Sequence, residues 1–482
     1  MEDFSSLVER LRSYKNETEW LEFKHNNYDP DMIGKDISAL ANSAALCERD
    51  CAYMLWGIND NTHEIIGTDY NLQTLKVGKQ EVESWLRDML SPNANFEFFS
   101  VDIHDKKVGI LIIYRSASQT VMFKGVDYIR IGSYSKKLSE YPQQQAKLWS
   151  KIGNYRFEEQ PAMKDLTLSE TLSYLDYIKY FDMIKLPVPS ESEGIVHFLI
   201  EENIVHKQDD GNYLITNLGA ILFAKNLHNF KRLSKKAVRV VKYAGDMRID
   251  IQHDTTFNSG YAVCFEEIIN HILALTPSDM PIDGALRSEK RGYPSIAIRE
   301  AVANALIHQE FSLIGTCAKV EIFDHKIEIT NPGIPLVDTI RIIDNPPQSR
   351  NEYLADLMRR LRICEELGSG WDKIAMSCEL KQLPAPKIEI CGENTKVTLY
   401  TEIPYSSIAL EDKIWTCYLH AVIQHLKREN LTNASLRERF GLQQNSNSTI
   451  SRLIGQAVES RLIKPLDPDT APRYMAYIPF WA

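Results

Sequence analysis

The chain has 482 residues, 44% of them hydrophobic and 25% charged, and a formal net charge of −10. That length exceeds one ordinary core, and the composition is that of a globular chain, so three or four domains are expected. The acid excess argues against indiscriminate coating of nucleic acid, although a local basic groove stays compatible with it.

No run of about eighteen uncharged apolar residues is present, so no membrane span is predicted. The start, MEDFSSLVERLRSYKNE, reads as a mixed-charge amphipathic helix and not as a signal peptide. The eight cysteines are scattered, and only Cys47 and Cys51 are close, with no second pair or nearby histidine to complete a zinc set. The chain reads as cytoplasmic with reduced thiols.

Residues 1–155 alternate helix and strand signals. LEFK, CAYMLWGIND, KKVGILIIYRS and DYIRIGS read as strands, and KQEVESWLRDML and PQQQAKLWSKI as helices. Residues 165–235 begin with TLSETLSYLDYIKYF and continue into a helix and a hairpin around Asp210-Gly211, a winged-helix-like connector. Residues 236–405 mix strands such as AVRVVKYAG and KVEIFDHKIEITN with the helix IAIREAVANALIHQEF. Residues 410–482 read as three helices and an extended end, the order of a winged helix. The terminal YIPFWA is too aromatic to dangle and is expected to dock on a neighbouring domain or subunit. The expected class is α+β, multidomain.

In LEFK the period-two alternation puts Leu21 and Phe23 on one face and Glu22 and Lys24 on the other. Alone, this reads as a solvated strand edge with an ion pair. Asp60, at the end of the next buried strand, adds a further carboxylate. Glu17, Glu22 and Asp60 could converge on Mg²⁺ or Mn²⁺, with Lys24 beside them to stabilise a pentavalent phosphorane or a leaving oxyanion. The segments ETEWLEFK, IGKDISALANS, YMLWGIND and DYIRIGSYSKKL resemble the Schlafen AlbA-type domain, and Glu17, Glu22, Lys24 and Asp60 match the Schlafen RNase quartet at every spacing. The resemblance implies metal-dependent endonucleolytic cleavage of structured RNA, chiefly transfer RNA. Glu17, Glu22 and Asp60 would be metal ligands and Lys24 the phosphate contact. Only one such lobe is present, so a homodimer or larger homo-oligomer is expected to complete a working nuclease. Arg130, Ser133, Lys136 and Lys137 form the best local phosphate-contact patch. Glu19 lies outside the pattern and reads as exposed.

In REAVANALIHQEF, Ile298, Val302, Ala305 and Leu306 share an apolar face, while Glu300, Asn304 and His308 recur every four residues on another. ITNPGIP follows as a strand into a Pro-Gly turn, and LGSGWDKI as a glycine-bracketed turn entering a helix, where backbone N–H groups can meet phosphate. In this order the segments resemble a divergent Bergerat-fold (GHKL) ATP-binding domain of the kind fused to bacterial Schlafen-type proteins. The resemblance implies ATP, with Asn304 on Mg²⁺, Glu300 as general base of an ATPase, and Gly368, Ser369 and Gly370 on the phosphates. The adenine-pocket motif departs from its usual form, reading Asn331-Pro332-Gly333-Ile334-Pro335. His308 reads as a structural histidine.

In the C-terminal block, Arg437, Arg439 and Arg452 are candidates for nucleic-acid phosphates. The combined expectation is an endoribonuclease gated by ATP binding, in antiviral or stress defence. The alternative is an ATP-responsive DNA-binding transcriptional regulator with a non-catalytic Schlafen-type lobe. Three converging carboxylates favour the nuclease, since they repel a phosphate backbone unless a metal intervenes. RNA is the favoured partner, with DNA second and no membrane.

Overall fold

In a computed structural model the chain divides into two units, residues 1–156 and 157–482. The structure describes residues 4–14, 17–26, 29–60, 62–69, 75–92, 94–116, 119–153, 156–276, 292–313, 315–346, 348–364 and 370–482, together with the backbone of short strands between 278 and 291.

In the first unit the period-two segments form a sheet in the order Leu21–Lys24, Cys51–Trp56, Lys106–Tyr114, Phe96–Ile103, parallel at the first pairing and antiparallel at the others. Its apolar residues, with Leu7, Val8 and Leu11 of the N-terminal helix, make one core. The helix Pro30–Leu46 starts on Asp29, whose side chain accepts from Asp31 N, with proline in the first turn. It also carries a second sheet, ordered Tyr134–Lys137, Val126–Ile131, Met122–Phe123, Leu90–Ser91. Gly34 permits that docking, because a Cβ there would lie 2.1 Å from the Phe123 ring. Polar side chains of the helix stitch the two together. Asn42 donates to the carbonyls of Val121 (2.9 Å) and Tyr128 (2.8 Å), and Ser43 accepts from Arg130 N at 2.9 Å. These bonds fix the strand that carries Arg130.

In the second unit a six-stranded sheet runs in the order Ile251–Phe257, Val238–Tyr243, Lys319–Ile322, Lys326–Pro332, Asn394–Tyr400, Lys387–Cys391. The helices Tyr261–Leu275 and Ser295–Ile307 contribute to its core, and Ile298, Val302, Ala305 and Leu306 are buried as their spacing predicts. TLSETLSYLDYIKYF forms two short helices, Leu168–Tyr174 and Tyr177–Ile184, each begun by its own side-chain cap. The block 165–235 shares this core, because Leu172, Phe181, Leu199 and Phe223 belong to the same apolar cluster as Ile298 and Val320. The C-terminal block consists of helices Leu410–Leu426, Asn433–Arg439 and Asn447–Glu459 and a hairpin of Ile463–Pro465 with Tyr477–Pro479. YIPFWA docks on this same block, where Trp481 Nε1 donates to the Tyr418 hydroxyl at 3.0 Å. No helix among the described residues is long and apolar enough to cross a membrane.

Candidate functional site

Glu22 and Lys24 share the outer face of their strand, but that face is covered: Glu22 is 5% exposed. Its carboxylate is held from both sides. Lys24 Nζ pairs with Oε1, and the Arg130 guanidinium pairs with Oε2. Lys24 also reaches Asp36 Oδ2 at 3.4 Å, and Ser135 donates to Asp36 Oδ1 at 2.7 Å. Glu17 accepts from Phe23 N at 2.9 Å, and its second oxygen lies 3.7 Å from Arg130 Nη2. Burial, then the neighbouring Glu22 charge, raises the Glu17 carboxyl above the usual range. Burial alone would pull the Lys24 ammonium down. The Asp36 and Glu22 carboxylates outweigh it, so the ammonium sits above its ordinary value and stays charged at neutral pH.

Asp60 stands in an exposed turn beyond the strand Cys51–Trp56. Among the described residues no group of three or more His, Cys, Asp or Glu is placed to hold a metal ion, so Glu17, Glu22 and Asp60 are not assembled as the expected ligand set. The arrangement does not fit a divalent ion as folded, since both oxygens of Glu22 already face cations. Arg130, expected on a phosphate-facing patch, is 2% exposed and points into the cluster. The reason is electrostatic: two carboxylates below the strand outcompete solvent for its charge. Ser133, Lys136 and Lys137 remain exposed on the hairpin beside it, and Glu19 is exposed.

The second constellation lines a cavity of about 470 Å³. Glu300 and Asn304 lie on its wall one helical turn apart, with Glu300 4% exposed. The helix Gly370–Leu380 begins directly against them. A Cβ on Gly370 would lie 3.1 Å from Glu300 Oε2 and 3.3 Å from Asn304 Nδ2, so glycine is what admits the helix N-terminus to this carboxylate and amide. Gly370 and Trp371, at that end, line the cavity, and the N-terminal end of a helix dipole is suited to phosphate. Asn331 is buried, and its amide donates to the Pro332 carbonyl at 3.2 Å, which leaves its side-chain oxygen as an acceptor. Gly333 has φ +104°, a conformation that suits glycine. It is pinned by Thr395 Oγ1, which donates to its carbonyl at 2.7 Å. His308 follows the last turn of its helix, in the cavity wall. Burial, helped by Arg350, pushes its pKa down to about 4. Gly368 and Ser369 lie outside the described residues.

The segment 334–350 walls the cavity with Ile334, Leu336, Val337 and Ile342, and Arg350 secures its end by pairing with Glu310 at 2.8 Å. Its middle leans on the C-terminal block. Tyr418 Oη donates to the Ile340 carbonyl, Arg341 covers the Trp481 ring at 4.7 Å, and Ile343 packs against the apolar core of the C-terminal block. Of the arginines expected to meet nucleic acid there, Arg452 is exposed and Arg437 is half-buried against Asn447. Arg439 is turned inward and 5% exposed. It pairs with Glu379, which His420 also contacts, and donates to the Leu383 carbonyl. It fastens the block to the helix Gly370–Leu380 and does not face solvent.

The sequence reading missed Asp36, Arg350 and Tyr418. Asp36 alone left a signal, the one carboxylate of the helix segment IGKDISALANS.

Residues 17–139 match the family model described as "Schlafen, AlbA_2", and residues 315–399 the one described as "Putative ATP-dependent DNA helicase recG C-terminal". The chain thus joins a Schlafen AlbA-type region to an ATPase-like region. Asn331, Gly333 and Gly370 fall inside the second match, whereas Glu300 and Asn304 precede it. No curated protein matches the chain. A crystal structure of the DIP2311 protein from Corynebacterium diphtheriae is similar over 99% of this chain and 96% of that one, at 16% identity and a TM-score of 0.43.

Proposed function

We propose that the chain is an RNA-cleaving protein controlled by adenine nucleotide, with the Glu17–Glu22–Lys24 cluster at the phosphodiester and ATP in the Glu300–Asn304 cavity. The observation that carries the nucleotide half is the approach of the helix N-terminus at Gly370 to Glu300 and Asn304 inside a cavity of ligand size. Glu300 and Asn304 fit the base and Mg²⁺-ligand roles the resemblance implies, and the Asn331 oxygen fits the adenine amino group. The Schlafen AlbA_2 match and the buried charge cluster support the RNA half.

In this reading Lys24 neutralises the phosphate, and Ser133, Lys136 and Lys137 hold the neighbouring backbone. Glu17, more exposed than Glu22 or Asp36, takes the proton of the attacking hydroxyl as its oxygen bonds to phosphorus, while the P–O5′ bond breaks and the departing 5′ oxygen takes a proton from water. RNA is favoured over DNA because it brings that hydroxyl with it, at the 2′ position.

The testing experiment incubates the full chain with end-labelled transfer RNA, single-stranded DNA and duplex DNA, in Mn²⁺ or EDTA, with and without ATP, beside Glu22→Ala. RNA cutting that Glu22→Ala abolishes supports the reading, and a change with ATP supports the gate. Absence of cutting under every condition sinks it. A second reading, a DNA-binding regulator, draws on the contact of the C-terminal block with the cavity segment through Tyr418 and Ile340. Tight duplex binding that shifts with ATP, without cleavage, would select it.

A further inference from the structure

Among the described residues Arg130 is the second-largest fully buried side chain, after Trp56, and it is charged. Among the described residues its Nε and Nη2 atoms have no hydrogen-bond partner. It is held by charge: Nη2 forms an ion pair with Glu22 Oε2 and lies 3.7 Å from Glu17 Oε2. One nitrogen therefore stands between the two carboxylates. A divalent ion bridging the same oxygens at about 2.0–2.6 Å would need the space that nitrogen fills.

The charge balance points the same way. Glu17, Glu22 and Asp36 face Lys24 and Arg130, three carboxylates against two cations. Without Arg130 the excess would be two negative charges, the charge of one divalent ion. The strand that bears Arg130 is itself fixed, through its backbone N–H to Ser43 and the Asn42 bridge to Tyr128.

We infer that Arg130 is a built-in counter-ion that holds the position a divalent metal would take between Glu17 and Glu22, so that ion binding and Arg130 docking exclude each other. The resting cluster is metal-free by construction, and a metal enters only when Arg130 leaves. Arg130 is a positioning residue, acting on the Glu17 and Glu22 carboxylates by placing and neutralising them. This goes beyond the proposed RNA cleavage and does not depend on it, because the ion is read without RNA.

The test is calorimetric titration of Mn²⁺ into the nucleotide-free full chain, as wild type, Arg130→Met, Arg130→Lys, Glu22→Gln and the Arg130→Met/Glu22→Gln pair. Arg130→Met is expected to gain one ion per chain, bound at least about ten-fold tighter than any ion at the wild-type cluster. The double variant loses that ion, and Arg130→Lys behaves as wild type. A merely structural arginine would not produce a gain of affinity. If Arg130→Met fails to fold, wild type against Glu22→Gln still decides: the inference requires equal stoichiometry. A wild-type chain that takes an ion which Glu22→Gln removes overturns it, as does an Arg130→Met chain that folds and gains none.

Discussion

Tyr418 donates its hydroxyl to the main-chain carbonyl of Ile340 at 2.6 Å. The donor belongs to the helix Leu410–Leu426 of the C-terminal block, and the acceptor to the segment that walls the Glu300–Asn304 cavity. Trp481 donates to the same hydroxyl, and Arg341 covers the Trp481 ring. A ligand that moves this segment must strain or break these bonds, which is the physical content of a coupling between cavity and block.

Removing the hydroxyl should uncouple them. Tyr418→Phe keeps the ring and loses a bond of about 1 kcal/mol. Hydrogen exchange over residues 338–344 is expected to speed up roughly five-fold, while the helix Ser295–Ile307 keeps its wild-type protection. Unchanged exchange in 338–344 would mean that apolar packing of Ile343, not Tyr418, fastens the segment.

Gly370 offers a test of the cavity that leaves the fold standing. Its backbone is not left-handed, and alanine is the better helix former. The added methyl would instead crowd the Glu300 carboxylate and Asn304 amide. Gly370→Ala is expected to fold with stability within about 1 kcal/mol of wild type and to bind a fluorescent ATP analogue about ten-fold more weakly. Full affinity in a folded variant would place the nucleotide elsewhere.

What the sequence disclosed and what it hid follow from the range of the interactions. Glu300 and Asn304 were legible as a pair because a helix fixes their separation, and the strands were legible because alternation is local. Arg130 was misplaced because Glu17 and Glu22 lie over a hundred positions upstream, and the helix Pro30–Leu46 is what holds the Arg130 strand to them. Alternation shows which faces differ, but not that the polar face of LEFK is roofed over. Arg439 was misread for the same reason: Glu379, sixty positions earlier, draws it inward. The connector at 165–235 looked separate because its helix–hairpin order is local, while the core it shares is long-range.

The two kinds of arginine in the C-terminal block should separate stability from binding. Arg439→Met would leave Glu379 buried with His420 as its remaining ionic partner among the described contacts, and removing one member of a buried pair costs about 3–5 kcal/mol. The expected result is a lower thermal midpoint for the second unit. Arg452 is exposed, so Arg452→Ala should change stability by less than about 0.5 kcal/mol and weaken nucleic-acid binding with a shallower salt dependence. A destabilised Arg452→Ala, or an Arg439→Met of wild-type stability, would contradict the placement of these side chains.

His308 gives the second unit a pH dependence whose sign is fixed by its environment. Burial, with the Arg350 charge adding to it, takes its pKa from 6.5 to about 4 in the folded chain. Between those values the unfolded chain holds the proton and the folded chain does not, so protons favour unfolding. The stability associated with neutral His308 is fully present above pH 6.5 and is lost as pH falls toward 4, at about 1.4 kcal/mol per unit. From pH 7.5 to 5.5 the loss should be roughly 1 kcal/mol, read as a lower urea midpoint of the second unit. His308→Gln has no proton to take up and should flatten that difference. A variant that loses as much stability over the same interval would assign the pH dependence to another group.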